Sequence, residues 1–359
     1  MNYFKIQSIC GTARAGILKT AHGEIRSPFF MPVATKGSVK LLSNEEVRSA
    51  GTQCIISNAF ILSLKPGVET ISRLGGLHKF MGWNRPVFTD SGGFQVLSEN
   101  FCLKLTDKEV LFRNPFDGKK LLFSPEKSIE IQNELGSDVA MCLDDVPHAG
   151  AEPSRLKESA ARTALWAKRC IQAHKNKKQL LFGICQGGID QKIRQKSARE
   201  ICEMGFDGIA IGGLAIGEPL KKTMEATKAA LDCIPREKPR YLMGVGSAKE
   251  LVEAVALGAD LFDSAFPTRT ARHGLAFSSE KNLNMESSKF ANDGSPLDKN
   301  CTCFVCNNHS RAYVHHLVRT KEENGQKYLS YHNLFFIQSL MEKIRTDIKE
   351  GSFKKEKYF

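Results

Sequence analysis

The 359-residue sequence has no apolar run that approaches membrane-spanning length, which argues against a membrane protein. Residues 1–14 lack both the apolar core and the small-residue cleavage site of a secretory signal. We therefore expect a cytoplasmic protein that has no membrane partner. No repeat with a period of roughly 20 to 50 residues occurs either, which argues against solenoids and propellers.

The sequence also lacks an even set of cysteines that could form a disulfide framework. Its cysteines number 11, and most are scattered among apolar neighbours, where buried free thiols are typical. Three of them, Cys301, Cys303 and Cys306, fall within one short segment. An odd total with one dense cluster indicates a reducing compartment and a metal site.

Negative charge is in short supply, since 51 Lys and Arg face 39 Asp and Glu and the formal net charge is +12. Such a surplus favours binding to phosphate backbones or anionic surfaces. With 42% hydrophobic and 25% charged residues, the composition is that of a globular protein large enough to bury a substantial core.

Eight short apolar runs, each followed by polar or glycine residues, are typical of strands buried on both faces of a parallel sheet. The runs are 29–34, 54–56, 87–88, 139–143, 180–185, 209–211, 241–243 and 261–262. Helical stretches separate most of them, and two begin with capping boxes, Ser43 with Glu46 and Ser247 with Glu250. This alternation predicts an α/β fold, a (β/α)₈ TIM barrel. The alternative is an open doubly wound sheet, but no Gly-x-Gly-x-x-Gly follows the first strand.

We predict a catalytic barrel at 1–274 and a zinc-binding subdomain with a helical tail at 275–359. A hairpin insertion interrupts the barrel at about 103–123, where Asp117-Gly118 is a turn signal.

Active sites of such barrels lie at the C-terminal ends of the strands. The candidates there are Asp90, Asp144, Gln186, Gly213 and Asp263. Asp90 and Asp263 suit cleavage of a glycosidic bond through a covalent intermediate, with one carboxylate as nucleophile and the other as proton donor. Asp144, Gln186 and the backbone near Gly213 offer acceptors and donors that match the edge of a purine.

The stretch 260–274 combines the acid Asp263 with basic residues. Pro267 is expected to stop any strand or helix, so that Arg269, Arg272 and His273 lie in a basic loop. A carboxylate beside guanidinium groups suggests chemistry on a polyanion. The alternative is an aspartate that caps a turn beside a solvated loop.

The cysteine cluster can place three thiolates around one ion, and tetrahedral zinc needs a fourth ligand. Nearby histidines are His309, His315, His316 and His332. With three thiolates and one histidine the ion would have no open position, so we expect one structural Zn²⁺. Unligated reactive thiols are the alternative.

Together these motifs resemble those of the tRNA-guanine transglycosylase (queuine tRNA-ribosyltransferase) family over nearly the whole chain. The matching segments are 89–95, 143–145, 186–188, 212–218, 242–246 and 262–263 with 267–269. The resemblance selects His332 as the fourth metal ligand. It also implies a homodimer that uses the zinc region, as is common among bacterial members.

The resemblance implies that Asp263 is the nucleophile and Asp90 the general acid/base. The residues expected to hold the base are Asp90, Ser91, Gly92, Gly93, Phe94, Asp144, Gln186 and Gly213. Those expected to contact the tRNA are Gly244, Val245, Gly246, Ser247, Ala248, Lys249, Glu250, Thr268, Arg269, Thr270, Ala271 and Arg272. Family members insert a 7-deazaguanine at the wobble position of the anticodon loop.

Some positions depart from the bacterial pattern. Asp145, Val146 and the segment 267–272 resemble eukaryotic members, and Ser264 stands where cysteine is common. Ile216 is bulky, as in bacterial members that take the small 7-aminomethyl precursor of queuine. We expect queuine itself to be accepted.

Two other functions fit part of the sequence. A retaining glycoside hydrolase explains the carboxylates but neither the cysteine cluster nor the +12 charge. A non-catalytic tRNA-binding subunit would need neither Asp90 nor Asp263.

Overall fold

The computed structural model describes residues 3–93 and 101–358. The strands are β1 Phe4–Cys10, β2 Ala13–Thr20, β3 Gly23–Ser27, β4 Phe29–Pro32, β5 Ile55–Asn58, β6 Val87–Asp90, β7 Cys102–Leu105, β8 Val110–Arg113, β9 Lys120–Phe123, β10 Val139–Met141, β11 Leu180–Cys185, β12 Gly208–Ile211, β13 Arg240–Leu242, β14 Leu261–Ser264, β15 Leu275–Ala276 and β16 Leu283–Asn284. The α-helices are Asn44–Ser49, Ala59–Leu62, Val68–Arg73, Leu77–Met81, Pro125–Leu135, Pro153–Ala173, Gln191–Cys202, Leu220–Leu231, Ala248–Leu257, Phe266–Arg272, Phe304–Asn308, Arg311–Arg319 and Glu323–Lys349. None of the helices described is long and apolar enough to cross a membrane.

All eight predicted apolar runs form strands of one parallel sheet, in the order β4-β14-β13-β12-β11-β10-β6-β5. Its two outer strands meet through a parallel bridge between Val33 and Ile56. There the Ala34 N–H donates to the Ile56 carbonyl at 2.7 Å. This contact brings the sheet edges together, and the predicted (β/α)₈ barrel is confirmed.

Local sequence sets the helix ends as predicted. Both capping boxes form, at Ser43 and Ser247, with each serine and its glutamate exchanging hydrogen bonds. Pro125 occupies the first turn of its helix, and Gly136 ends that helix in the left-handed region at φ 70°.

One expectation about the 260–274 stretch is wrong. Pro267 does not interrupt the chain but lies in the first turn of the helix Phe266–Arg272, where a missing N–H costs nothing. The Arg269 N–H donates to the Ala265 carbonyl at 2.8 Å, so the helix runs through the arginines. The basic residues Arg269 and Arg272 are therefore carried on a helix rather than on a loop.

The insertion after β6 forms a three-stranded antiparallel sheet, β7-β8-β9. The predicted turn at Asp117-Gly118 joins β8 to β9, and Gly118 has a φ of 73°. Phe112 and Phe123 of this sheet pack edge-on against Phe60, with ring centroids 4.8 and 5.2 Å apart. Because Phe60 follows directly on β5, this packing fixes the insertion at the C-terminal end of the barrel.

A second antiparallel sheet, β1-β2-β3, joins the N-terminal end of the barrel, and nothing in the apolar pattern predicted it. Two buried aspartates that precede barrel strands hold it there. Asp260 accepts from Arg14 Nε at 2.8 Å and from Arg14 Nη2 at 2.5 Å. Asp138 accepts the His22 backbone N–H at 2.8 Å and the Val87 N–H at 2.9 Å.

The long helix Glu323–Lys349 ties the C-terminal segment to the barrel. Gln338 Nε2 donates to the Phe30 carbonyl at 3.1 Å, and Arg345 Nη1 donates to the Pro28 carbonyl at 2.6 Å. These bonds reach the first barrel strand, so residues after 274 pack against the barrel wall. The predicted division at 274 stays a prediction.

Candidate functional site

A cavity of about 260 Å³ opens at the C-terminal ends of the strands. Asp90 at the end of β6, Asp144 after β10 and Asp263 on β14 all line it. Three acids that are far apart in sequence therefore face one space, as the strand-end pattern predicted.

Asp263 accepts hydrogen bonds from two donors. The Tyr241 hydroxyl donates to Oδ1 at 2.6 Å, and the Gly244 N–H donates to the same oxygen at 3.0 Å. Burial raises the pKa of Asp263, and these two hydrogen bonds oppose that rise. Within the described residues both donors reach Oδ1, which leaves Oδ2 as the oxygen available to react.

Tyr241 is a functional residue that our reading of the sequence missed, because it lies within an apolar run. Its side chain is fully buried on β13. A buried tyrosine needs a hydrogen-bond partner for its hydroxyl, and this need could have indicated that Tyr241 contacts a polar group of the site.

Asp90 has an environment suited to proton transfer. Burial, reinforced by the negative charge of Asp263, raises the pKa of Asp90 to about 6. Backbone N–H groups of Gly92 and Ser91 and the Asn58 amide, 3.2 Å from Oδ2, oppose the rise. A carboxyl group with a pKa near neutrality can give up and recover a proton during a reaction.

Asp144 and Gln186 are brought together beside Gly213. Gln186 Nε2 donates to Asp144 Oδ2 at 2.7 Å. Burial and the charge of Asp90 raise the pKa of Asp144 to about 8. Gly213 has a φ of 66°, and a Cβ there would lie 2.3 Å from Gln186 Oε1. Only glycine therefore lets the backbone approach this amide.

The glycines after Asp90 are as tightly enclosed. A Cβ on Gly92 would lie 2.2 Å from Phe60 Cβ, and one on Gly93 would lie 2.6 Å from the Asp144 carbonyl oxygen. Ser91 is buried, and its hydroxyl accepts from the Gly93 N–H at 3.3 Å. Phe94 lies outside the described residues.

The segments expected to contact RNA flank the cavity, but only part of each is accessible. Gly244, Lys249 and Arg269 are exposed, and Arg269 lines the cavity. Val245 and Ala271 are fully buried, so their side chains face the protein interior. In the first segment, Gly246 is buried against Ser264, and Ser247 caps the helix that contains Ala248 and Glu250. In the second segment, Thr268 is buried and its carbonyl accepts from Arg272 Nη1. The Thr270 hydroxyl donates to the Phe266 carbonyl.

Asp145, which we expected to depart from the bacterial pattern, does not line the cavity. Its buried carboxylate accepts from Arg155 at 2.5 and 2.8 Å and from Arg162 at 2.6 Å. It therefore anchors the start of the helix Pro153–Ala173 behind the site.

The cysteine cluster can hold a metal ion together with His332. The three sulfur atoms lie 3.7, 3.5 and 3.4 Å from His332 Nδ1, for Cys301, Cys303 and Cys306 respectively. Zinc–ligand bond lengths at tetrahedral angles put sulfur and nitrogen about 3.6 Å apart. His332 Nε2 lies 2.8 Å from the Phe277 carbonyl, and the donated proton leaves Nδ1 free to bind an ion. Among the candidates for the fourth ligand, His332 is the one in this cluster.

A second group of possible ligands, His22, His78 and Asp138, lies at the opposite end of the barrel. The two rings are stacked with centroids 3.6 Å apart, and each has a nitrogen 3.0 Å from a different carboxylate oxygen. Nitrogen lone pairs lie in the ring planes, so stacked rings cannot both direct them at one ion. Burial alone would raise the pKa of Asp138, but hydrogen bonds, chiefly from His78, outweigh it and the pKa is lowered. This group is a hydrogen-bonded clamp.

The metal assignment can be tested with two histidine variants. We expect His332→Ala to lose its bound metal and several degrees of Tm, because a tetrahedral site loses one of four ligands. His309→Ala is the matched control, since His309 lies nearby but stacks on Tyr328. Mass spectrometry of the metal content gives the readout. Loss of metal in His309→Ala with retention in His332→Ala would contradict the assignment.

Comparison with known proteins gives one consistent result. The family described as Queuine tRNA-ribosyltransferase matches residues 9–358. Curated relatives of that name include one from Thermotoga neapolitana, 47% identical over 354 residues, which cover 99% of this chain and 96% of the relative. One from Fusobacterium nucleatum is 47% identical over 360 residues, with the same coverage. One from Staphylococcus aureus is 47% identical over 348 residues, 96% of this chain and 92% of the relative.

Proposed function

The chain belongs to the queuine tRNA-ribosyltransferase family, and on that premise we propose that it exchanges a guanine of tRNA for a 7-deazaguanine in queuosine modification. The enzyme is thus a tRNA-guanine transglycosylase, a pentosyltransferase. The observation that carries the proposal is the meeting of Asp90, Asp144 and Asp263 in one cavity of a chain that matches the family almost end to end. Since tRNA is its substrate, we place the enzyme in the cytoplasm.

We propose that the exchange proceeds by two displacements at the ribose C1′. Asp263 Oδ2 attacks C1′, the bond from C1′ to guanine N9 breaks, and Asp90 protonates the departing base. Asp90 then removes the proton from the incoming base, whose nitrogen attacks C1′ and releases Asp263. Two inversions retain the configuration at C1′. One glycosidic bond replaces another, so no ATP is needed.

Recognition of the base is assigned to Asp144, Gln186 and Gly213. An ionised Asp144 would accept from the N1–H and the amino group of a guanine-like base. The Gln186 amide and the Gly213 N–H would donate to its carbonyl oxygen. The wobble base of the anticodon is unpaired, so moving it into the cavity costs little.

The three thiolates and His332 would hold one zinc ion. A tetrahedral site filled by three thiolates and one histidine leaves no open position for substrate, so we assign the ion a structural role.

We also propose a homodimer formed through the zinc region. Phe304 and Tyr313 there are 53% and 43% exposed, and His309 stacks on Tyr328 at 4.7 Å. Exposed aromatic groups are enriched at protein interfaces. Sedimentation of the wild type and Tyr313→Ala measures the assembly, and a monomeric wild type would refute it.

The nucleophile assignment predicts that Asp263→Asn loses guanine exchange. We expect incorporation of radiolabelled guanine into tRNA to fall by on the order of 10³-fold or more, because an amide cannot form the covalent bond. Asp232→Asn is the matched control, because Asp232 is exposed and paired with Lys228 at the surface. Equal labelling by Asp263→Asn and wild type would remove the assignment. No labelling by the wild type would favour a non-catalytic subunit.

The raised pKa of Asp144 predicts pH-dependent binding of the base. With a pKa of about 8, Asp144 is mostly protonated in the free enzyme at neutral pH. A base that donates two N–H groups favours the carboxylate, so binding releases a proton and affinity rises with pH up to about 8. Below that value the gain approaches about tenfold per pH unit.

Calorimetry in buffers with different ionisation enthalpies counts the released proton. Asp144→Asn has no such proton, so its weaker binding should not change with pH near 8. Wild-type affinity that stays constant from about pH 6 to 8 would contradict this account.

We propose that Ile216 helps to select the incoming base. It lines the cavity with Val146, and its N–H donates to Glu218 Oε2 at 3.1 Å, which fixes the loop. We expect exchange with both the 7-aminomethyl precursor and queuine, and Ile216→Gly should favour the larger queuine. Exchange assays with each base test this. Wild-type activity with the precursor alone would contradict the expectation for queuine.

A further inference from the structure

We propose that Phe116, with Lys36 and Lys65, forms a platform on which a nucleotide of the tRNA anticodon loop stacks while its neighbour occupies the cavity. The inference rests on the proposed function and extends the RNA-binding surface beyond the segments at 244–250 and 268–272. Phe116, Lys36 and Lys65 are called the platform below.

The platform is an exposed aromatic ring with two ammonium groups close to it. Phe116 lies in the β8–β9 turn and is 43% exposed. The ammonium groups of Lys36 and Lys65 each lie 5.9 Å from the centre of its ring. Both lysines are exposed as well. The ring is therefore open to an additional flat partner, and positive charge stands ready beside it.

The surrounding structure holds this ring near the mouth of the cavity. Lys36 follows Thr35, which lines the cavity, and Lys65 comes after the short helix Ala59–Leu62 that follows β5. The β8–β9 hairpin is fixed by Phe112 and Phe123, which pack against Phe60. The platform thus belongs to the same end of the barrel as the three acids.

The cations follow consecutive strands around that end. Arg269 comes after β14, Lys36 after β4 and Lys65 after β5, and β14, β4 and β5 are neighbours in the barrel. Phe116 belongs to the insertion after β6, the next strand along. A cationic arc therefore runs along one side of the mouth and ends at the exposed ring.

The acids inside the cavity explain why RNA needs such an arc. The carboxylates of Asp90 and Asp263 repel the phosphates of a nucleotide that approaches the cavity. Ammonium groups on the rim attract the flanking phosphates, and an aromatic face stacks any unpaired base without regard to its identity. Once a base covers Phe116, the lysines are free to turn to its phosphates.

A tryptophan at position 116 reports on stacking directly. The chain has 2 tryptophans, and both are buried, Trp83 at 1% and Trp166 at 0% exposure. In Phe116→Trp the new indole is the exposed fluorophore, and we expect an unmodified anticodon stem-loop RNA to quench it. Quenching by self-association at rising protein concentration without RNA would overturn the proposal in favour of a second copy of the chain.

Steady-state exchange measures the contribution of each part. Phe116→Ala should raise KM for tRNA about tenfold and leave kcat and KM for guanine unchanged. In Phe116→Trp, which keeps an aromatic ring, KM for tRNA should return to the wild-type value. For Lys36→Ala/Lys65→Ala, the slope of log KM for tRNA against log salt should fall by about 1.4, because each contact with single-stranded RNA contributes about 0.7.

The matched control is Lys177→Ala/Lys178→Ala. It removes the same charge from exposed residues just before β11, at the opposite end of the barrel, and should leave KM unchanged. The platform is refuted if the platform variants match the wild type, or if both lysine pairs act alike. A wild type that incorporates no guanine would instead refute the proposed function.

Discussion

The mutual repulsion of three carboxyl groups in one cavity is the constraint on which the site depends. Asp90, Asp144 and Asp263 line the same small cavity, where they cannot all be ionised at little cost. The three carboxyl groups differ in acidity because each one accepts hydrogen bonds from different donors. Asp263 has a hydroxyl and a backbone N–H on one oxygen, whereas Asp144 has an amide and a pKa raised to about 8. In the proposed mechanism, aspartate thereby supplies the nucleophile as Asp263, the proton carrier as Asp90 and, as Asp144, the group that releases a proton when the base binds.

The opposite end of the barrel solves the same electrostatic problem differently. Asp138 is almost fully buried, yet its pKa is lowered because four donors from three segments surround it. Burial raises the pKa of Asp260, and the forked guanidinium of Arg14, which donates to both carboxylate oxygens, opposes that rise. Fully paired carboxylates fasten the N-terminal sheet, while partly paired ones line the cavity. The barrel thus has one end built for rigidity and one for chemistry.

Much of this arrangement could be predicted because strands buried on both faces are visible as apolar runs, and because their ends must meet. Asp90, Asp144 and Asp263 are found by that rule alone. The prediction of a loop after Pro267 was wrong because proline can end a helix or occupy its first turn. Which of the two occurs depends on the residues that follow. Tyr241 was not predicted as a site residue because its ring packs as an apolar group, although its hydroxyl donates a hydrogen bond to Asp263. The sheet β1-β2-β3 has one partly solvated face, so its apolar pattern is weak.

The helix Glu323–Lys349, about 40 Å long, joins features that would otherwise be independent. His332 faces the three thiols, and the next residue, Asn333, donates to the Pro267 carbonyl at 3.1 Å in the helix that carries Arg269. Farther along the helix, Gln338 donates to the Phe30 carbonyl of β4. Near the start of the helix, Tyr328 stacks on His309. Oxidation of one thiol would therefore disturb the packing of this helix as well as remove a metal ligand. It would loosen the helix whose Asn333 is bonded to the segment that carries Arg269, so damage at the cysteines would also disturb the mouth of the cavity.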